Sequence, residues 1–135
     1  MSYDISLVDP VTRETLTMDA PHQMRGGTYA MNGTDEMWVN ITYNYARWYY
    51  KDYAFGENGI RSIYGLSGAE SIPVLKKAIE GLENSDEELP YEEAKQCIEQ
   101  GATGYWLPTR TNAIRPLYQL LALAQMRPDG VWEGD

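Results

Sequence analysis

An α+β fold is the class the sequence predicts, on three observations. Apolar residues alternate with polar ones in the first third of the chain, apolar residues recur at helical spacing in the remainder, and turn residues mark the boundaries. Strands gathered first and helices afterwards, rather than in strict alternation, argue against a doubly wound parallel sheet. At 135 residues the chain fits a single domain, 1–135, able to bury about two thirds of the surface its unfolded form exposes. The expectation is an antiparallel N-terminal sheet of about four strands packed against about three to four helices.

Ile5 and Leu7 alternate with Asp4 and Ser6, and Leu16 and Met18 with Thr15 and Thr17, while Asp9-Pro10 opens a turn between them. This reads as an N-terminal hairpin with a longer loop. The glycine-rich loop His22 to Thr28 follows, then a short strand around Thr28 to Met31 and a turn at Asn32-Gly33. The longest alternating run is Glu36 to Tyr45. In an extended strand, Met37, Val39, Ile41, Tyr43 and Tyr45 share one side, and Glu36, Trp38, Asn40, Thr42 and Asn44 share the other. Together these runs predict a four-stranded antiparallel meander.

Aromatics at 45, 49, 50 and 53 then fall at helical spacing. Gly56 and Gly59 end that segment, and Ile60 to Leu66 reads as a short strand or an extended connection. Ile72, Leu75, Ile79 and Leu82 form one amphipathic face. Ser67 and Glu70 have capping-box spacing, but Pro73 would then lie inside the helix, so the regular helix is expected from about Ser71. Further helices are predicted over Pro90 to Gln100, ending at Gly101, and over about Asn112 to Met126, with Pro116 in its first turn. The last is the most apolar and so the most central. Arg127-Pro128-Asp129-Gly130 reads as a type I turn, and Trp132 predicts a tail that docks.

The net charge of −9 and pI near 4.5 argue against direct nucleic-acid binding, which requires a lysine and arginine surface. The same charge disfavours an anionic membrane surface. Residues 84–100 carry six carboxylates against Lys95, a net −5, which reads as a solvated face or as a surface for a basic partner. One cysteine and one histidine exclude an intrachain disulfide and the usual zinc-finger ligand sets, so no metal and no cofactor are expected. Cys97 is expected to be a small buried hydrophobe. No signal-peptide pattern opens the chain and no run approaches a membrane span, so a cytoplasmic protein is expected. Eleven tyrosines and four tryptophans against one phenylalanine favour rings with a wet edge, a composition compatible with a pocket or a homodimer.

Among candidate site residues, His22 alone has an ordinary pKa near neutrality, so a general-base mechanism of the common kind would use it, with Glu36 or Glu70. Its commoner role would be to bond backbone carbonyls in the loop. Arg25, Gly26, Gly27 and Thr28 combine exposed N–H donors with a guanidinium fork suited to phosphate or carboxylate, although no Gly-Lys-Ser/Thr follows as in a P-loop. Asn40, Thr42 and Asn44 would lie about 6.6 Å apart along one strand face. Such a row needs water, a polar network or a ligand, because an unpaired buried amide costs about 1–3 kcal/mol. Trp38 on that face could stack on a planar ring.

Several segments carry a resemblance: Tyr3-Asp4-Ile5 with Asp9-Pro10-Val11-Thr12, Pro21 to Tyr29, Asn40 to Tyr45, Gly59 to Gly65 through Glu70, and Leu117 to Trp132. In these the chain resembles a family of small uncharacterised proteins met in gut bacteria and their phages. The resemblance implies an intracellular, stand-alone protein of mobile-element origin and supplies no activity. The function expected is a non-enzymatic binding protein for a small polar or nucleotide-like ligand, in that context a host immune signal nucleotide. The site would combine His22, Arg25, Gly26, Gly27, Thr28, Trp38, Asn40, Thr42 and Asn44. The alternatives are an inhibitor of a host protein acting through the acidic face, and a small hydrolase using His22.

Overall fold

A computed structural model of the protein describes residues 1–22 and 33–135. The expected strand at Thr28 to Met31, and Asn32 of the turn, lie outside the described residues. Within the described ones the protein is α+β.

The strand β1 (Ser2–Val8) has the cleanest alternation in the chain. It buries Tyr3, Ile5 and Leu7 and turns Ser2, Asp4 and Ser6 outward. An inward row this apolar requires neighbours on both edges, and β1 takes the centre of an antiparallel sheet between β4 (Trp38–Thr42) and β5 (Val131–Gly134). The register sets Ser6 opposite Trp38, Asp4 opposite Asn40 and Ser2 opposite Thr42, and on the other side Leu7 opposite Trp132.

The single meander is therefore replaced by two sheets. The strands β2 (Thr17–His22) and β3 (Thr34–Glu36) pair with each other in a separate two-stranded ribbon. The reason lies in β2 itself, which is largely exposed, carries no apolar inward row and contains Pro21, which has no N–H to give to a central ladder. Of the expected first hairpin there remain an isolated bridge from Val8 to Thr15 and two backbone bonds, from Leu16 N–H to the Leu7 carbonyl and from Asp9 N–H to the Glu14 carbonyl, each 2.9 Å.

The long alternating run also ends earlier than its pattern suggests. At Thr42 the backbone turns into a 3₁₀ segment, Tyr43–Tyr45, whose Asn44 N–H donates to Thr42 Oγ1 at 3.2 Å. The short helix α1 (Ala46–Tyr49) continues it and buries Trp48 and Tyr49. A second 3₁₀ segment, Gly59–Ile63, occupies the stretch read as a strand or extended connection.

In α2 (Gly68–Asn84) the capping box prevails over the proline rule. Glu70 N–H donates to Ser67 Oγ at 3.0 Å, and Ser67 N–H donates to Glu70 Oε1 at 2.9 Å, so the helix begins at Gly68 with Pro73 inside it. Pro73 and Ala69, whose carbonyl loses its helical donor, are both exposed. Water therefore softens the loss. Likewise α4 (Arg110–Met126) is capped by Thr109, and Pro116 lies inside it rather than in its first turn. The helix α3 (Tyr91–Glu99) ends near Gly101, which adopts φ +94° as the expected terminator.

The helices α2 and α4 pack along each other, and their buried residues join the inner sheet face in one cluster around Leu75, Leu82, Leu117, Leu120, Ile41 and Trp132. Gly81 allows the chain at Tyr53 to press onto α2, where an added Cβ would lie 1.6 Å from the Tyr53 carbonyl oxygen. The tail docks as β5, with Trp132 wholly buried and its indole N–H donating to Ser71 Oγ at 2.7 Å.

Candidate functional site

The outer face of the three-stranded sheet carries the predicted polar row, and β1 adds to it. Asp4 Oδ1 accepts from the Asn40 amide at 2.8 Å and from the Trp38 indole at 3.2 Å, while the Asn40 amide also donates to Ser2 Oγ at 2.8 Å. Asn40 is 5% exposed and this network offsets its burial, while Thr42, 3% exposed, accepts the Asn44 N–H. Trp38 remains half-buried.

Asn44 departs from this face. Once the backbone turns at Thr42, its side chain is carried to the loop before α4 and its amide donates to the Trp106 carbonyl at 2.9 Å. The strand alternation could not reveal the turn, because Tyr45 fits the four-residue spacing of Tyr49 and Tyr53 as well as the alternation of the strand.

His22 ends β2, and its Nε2–H donates to the main-chain carbonyl of Glu36 at 2.7 Å. Arg25, Gly26, Gly27 and Thr28 lie outside the described residues. Among the described residues no group of three or more side chains is arranged to hold a metal ion.

Beside the Trp38–Asn40 network, where β1 meets β5, lies an open hollow of about 340 Å³ lined by Asp4, Ser6, Arg13, Thr15, Glu133 and Asp135. Its wall is built by the turn after β1. Asp9 Oδ1 accepts the N–H groups of Val11 and Thr12 at 2.8 and 2.9 Å, which holds its carboxyl below the usual carboxylate range. The turn places Arg13 at φ +65°, from where Nη1 meets Glu133 Oε1 at 3.1 Å. On the other side Asp135 Oδ1 accepts the Asp4 N–H at 2.9 Å. A second hollow of about 400 Å³ shares Arg13 and Glu133 and reaches Tyr64. The hollow thus presents carboxylates and hydroxyls as acceptors and one guanidinium as donor, and Trp38, outside its lining, is tied to it through Asp4.

Sequence reasoning missed Asp4, Arg13 and Glu133. The outward alternation of Ser2, Asp4 and Ser6 was a usable signal for the first; nothing local marks the other two, which long-range pairing brings together.

The acidic segment answers to cations of its own chain. Glu87 meets Lys51 at 2.9 Å, Glu88 meets Arg110 at 3.4 Å, and Glu93 pairs with Arg47. The hydrogen bond from Lys51 holds the Glu87 carboxyl below the usual range, and that from Arg47 does the same for Glu93. Arg110 also donates to the Leu82 and Glu87 carbonyls at 2.6 and 2.8 Å. In α3 itself no residue is buried; Tyr91 is 77% exposed and Ile98 51%. Cys97 is accordingly only part-buried, not the core residue expected, because the helix lies on the surface. Between α1 and the end of α3 is a further hollow of about 370 Å³, and Asn44 is on its lining. No helix is long and apolar enough to cross a membrane among the described residues. No family model, no curated protein and no solved structure matches this chain.

Proposed function

We propose that this chain is a non-enzymatic binding protein that takes a small polar, nucleotide-like ligand on the outer face of its three-stranded sheet. The observation that carries the reading is the 340 Å³ hollow lined by Asp4, Ser6, Arg13, Thr15 and Glu133, beside the indole of Trp38. Carboxylate acceptors suit the hydroxyls of a ribose-like ring, an indole offers a stacking surface, and a guanidinium offers a fork for an anionic group. The resemblance to proteins of gut bacteria and phages supports a use in sequestering a host immune signal nucleotide in the cytoplasm.

Thermal unfolding with nucleosides, cyclic nucleotides and ADP-ribose derivatives tests it. A bound ligand raises the midpoint by an amount set by its concentration over its Kd. The shift should be lost in Arg13→Gln and in Asp4→Asn, the latter keeping an oxygen for Trp38 and Asn40. A shift that persists in both variants, or none with any compound, overturns the reading.

A second reading, docking of a host protein, is favoured by one observation: α3 exposes Tyr91 and Ile98 beside acidic residues. Serine at both positions should then abolish a complex while leaving the nucleotide shift intact.

A further inference from the structure

The hollow between α1 and the end of α3 has a different chemistry. Its lining is Asn44, Arg47, Cys97, Gln100, Ala102 and Pro108, in a volume of about 370 Å³. Three of these side chains carry N–H donors. Arg47 is set by its neighbours: its guanidinium lies 5.8 Å from the Trp48 ring centroid, and the Trp48 indole N–H is itself anchored on the Pro108 carbonyl at 2.9 Å. Asn44, also on the lining, is held by the Trp106 carbonyl. A cation beside an indole, with two amide-bearing residues on the same lining, is an arrangement suited to an oxyanion.

The oxyanion that Arg47 now meets is the Glu93 carboxylate, supplied by α3. That helix buries none of its residues, so little packing opposes its displacement. Both members of the pair are part-exposed, with side chains 40% and 48% accessible, and an exposed pair of this kind is readily exchanged for another.

We propose that this hollow is a binding site for a small carboxylate- or phosphate-bearing molecule, in which Glu93 acts as a built-in competitor for Arg47. The site is separate from the one on the sheet face, and neither depends on the other. An incoming anion takes the Arg47 fork and releases Glu93 to solvent. The side-chain amides of Asn44 and Gln100 hold the anion in place, and Pro108 and Ala102 provide its apolar wall.

Cys97 lines this hollow and is the sole cysteine of the chain, so its alkylation reports on the site directly. The thiolate sulfur attacks the methylene carbon of the reagent, a C–S bond forms and iodide leaves. Iodoacetate carries a carboxylate and iodoacetamide does not, and the ratio of their rates at Cys97 therefore measures recognition of an anion. We expect Arg47→Gln to lower that ratio by about two- to fivefold and Glu93→Gln to raise it by a similar factor. Inorganic phosphate should slow iodoacetamide labelling saturably, at lower concentration in Glu93→Gln than in the unaltered protein and not at all in Arg47→Gln. Circular dichroism of each variant verifies the fold. A ratio unchanged by Arg47→Gln, or labelling of Glu93→Gln that phosphate fails to slow, overturns the proposal.

Discussion

The buried indole of Trp132 and the buried hydroxyl of Ser71 are joined by a 2.7 Å hydrogen bond, in which the indole N–H donates and Ser71 Oγ accepts. Ser71 in turn donates to the Gly68 carbonyl at 2.8 Å. One hydroxyl thus ties the C-terminal strand to the first turn of α2. Ser71→Ala leaves the indole N–H without its partner and should cost about 1–3 kcal/mol by urea denaturation. A loss below about 0.5 kcal/mol would mean that the indole finds another acceptor.

The capping box of α2 makes a smaller, separable contribution. Ser67→Ala removes the acceptor of the Glu70 N–H and should cost about 1 kcal/mol, whereas Ser67→Asp should retain most of that stability. Equal losses in the two variants would show that the side-chain oxygen is not what counts.

Gly81 is predicted to tolerate no side chain. Alanine normally strengthens a helix interior, but here the Cβ would sit 1.6 Å from the Tyr53 carbonyl oxygen, so backbone must move. Gly81→Ala should destabilise by about 3 kcal/mol or more, against a gain of up to about 1 kcal/mol from helix propensity alone. Stabilisation on chemical denaturation would contradict this.

Alkali should unfold the protein before its buried tyrosines titrate. Burial pushes the Tyr3 phenol from 10.0 to about 12 and raises those of Tyr45, Tyr49 and Tyr64. A raised native pKa contributes stability that is intact below pH 10.0 and is lost as pH climbs through the native value. For Tyr3 the two-unit difference amounts to at most about 2.7 kcal/mol across pH 10–12. The phenolate absorbance of these rings should therefore rise together with loss of helical circular dichroism. Early, independent ionisation of all eleven tyrosines would contradict the burial.

Much of the fold was legible because it is encoded locally. The stripe through Ile114, Leu117 and Leu121 gave the central helix, and a tryptophan at position 132 indicated a docked tail. The start of α2 was misplaced because Pro73 argues against a helix interior, and sequence alone does not say that it faces water. Strand order was illegible for a different reason. Pairing of Leu7 with Trp132 leaves no trace near either residue. The candidate site divides in the same way: Trp38, Asn40 and Thr42 share a sheet face as their alternation implies, while Arg13 and Glu133 meet only through that distant pairing.

The position of β1 between β4 and β5 also constrains the order in which the molecule can be made. Residues 2–8 leave the ribosome long before residues 131–134, and until the latter emerge β1 has no β5 to pair with from Ile5 to Val8. Until then Leu7 lacks the Trp132 that stands opposite it, so the three-stranded sheet is completed only after the long intervening stretch has been made. A nascent chain stopped before Val131 should thus be the form that chaperones hold and proteases cut.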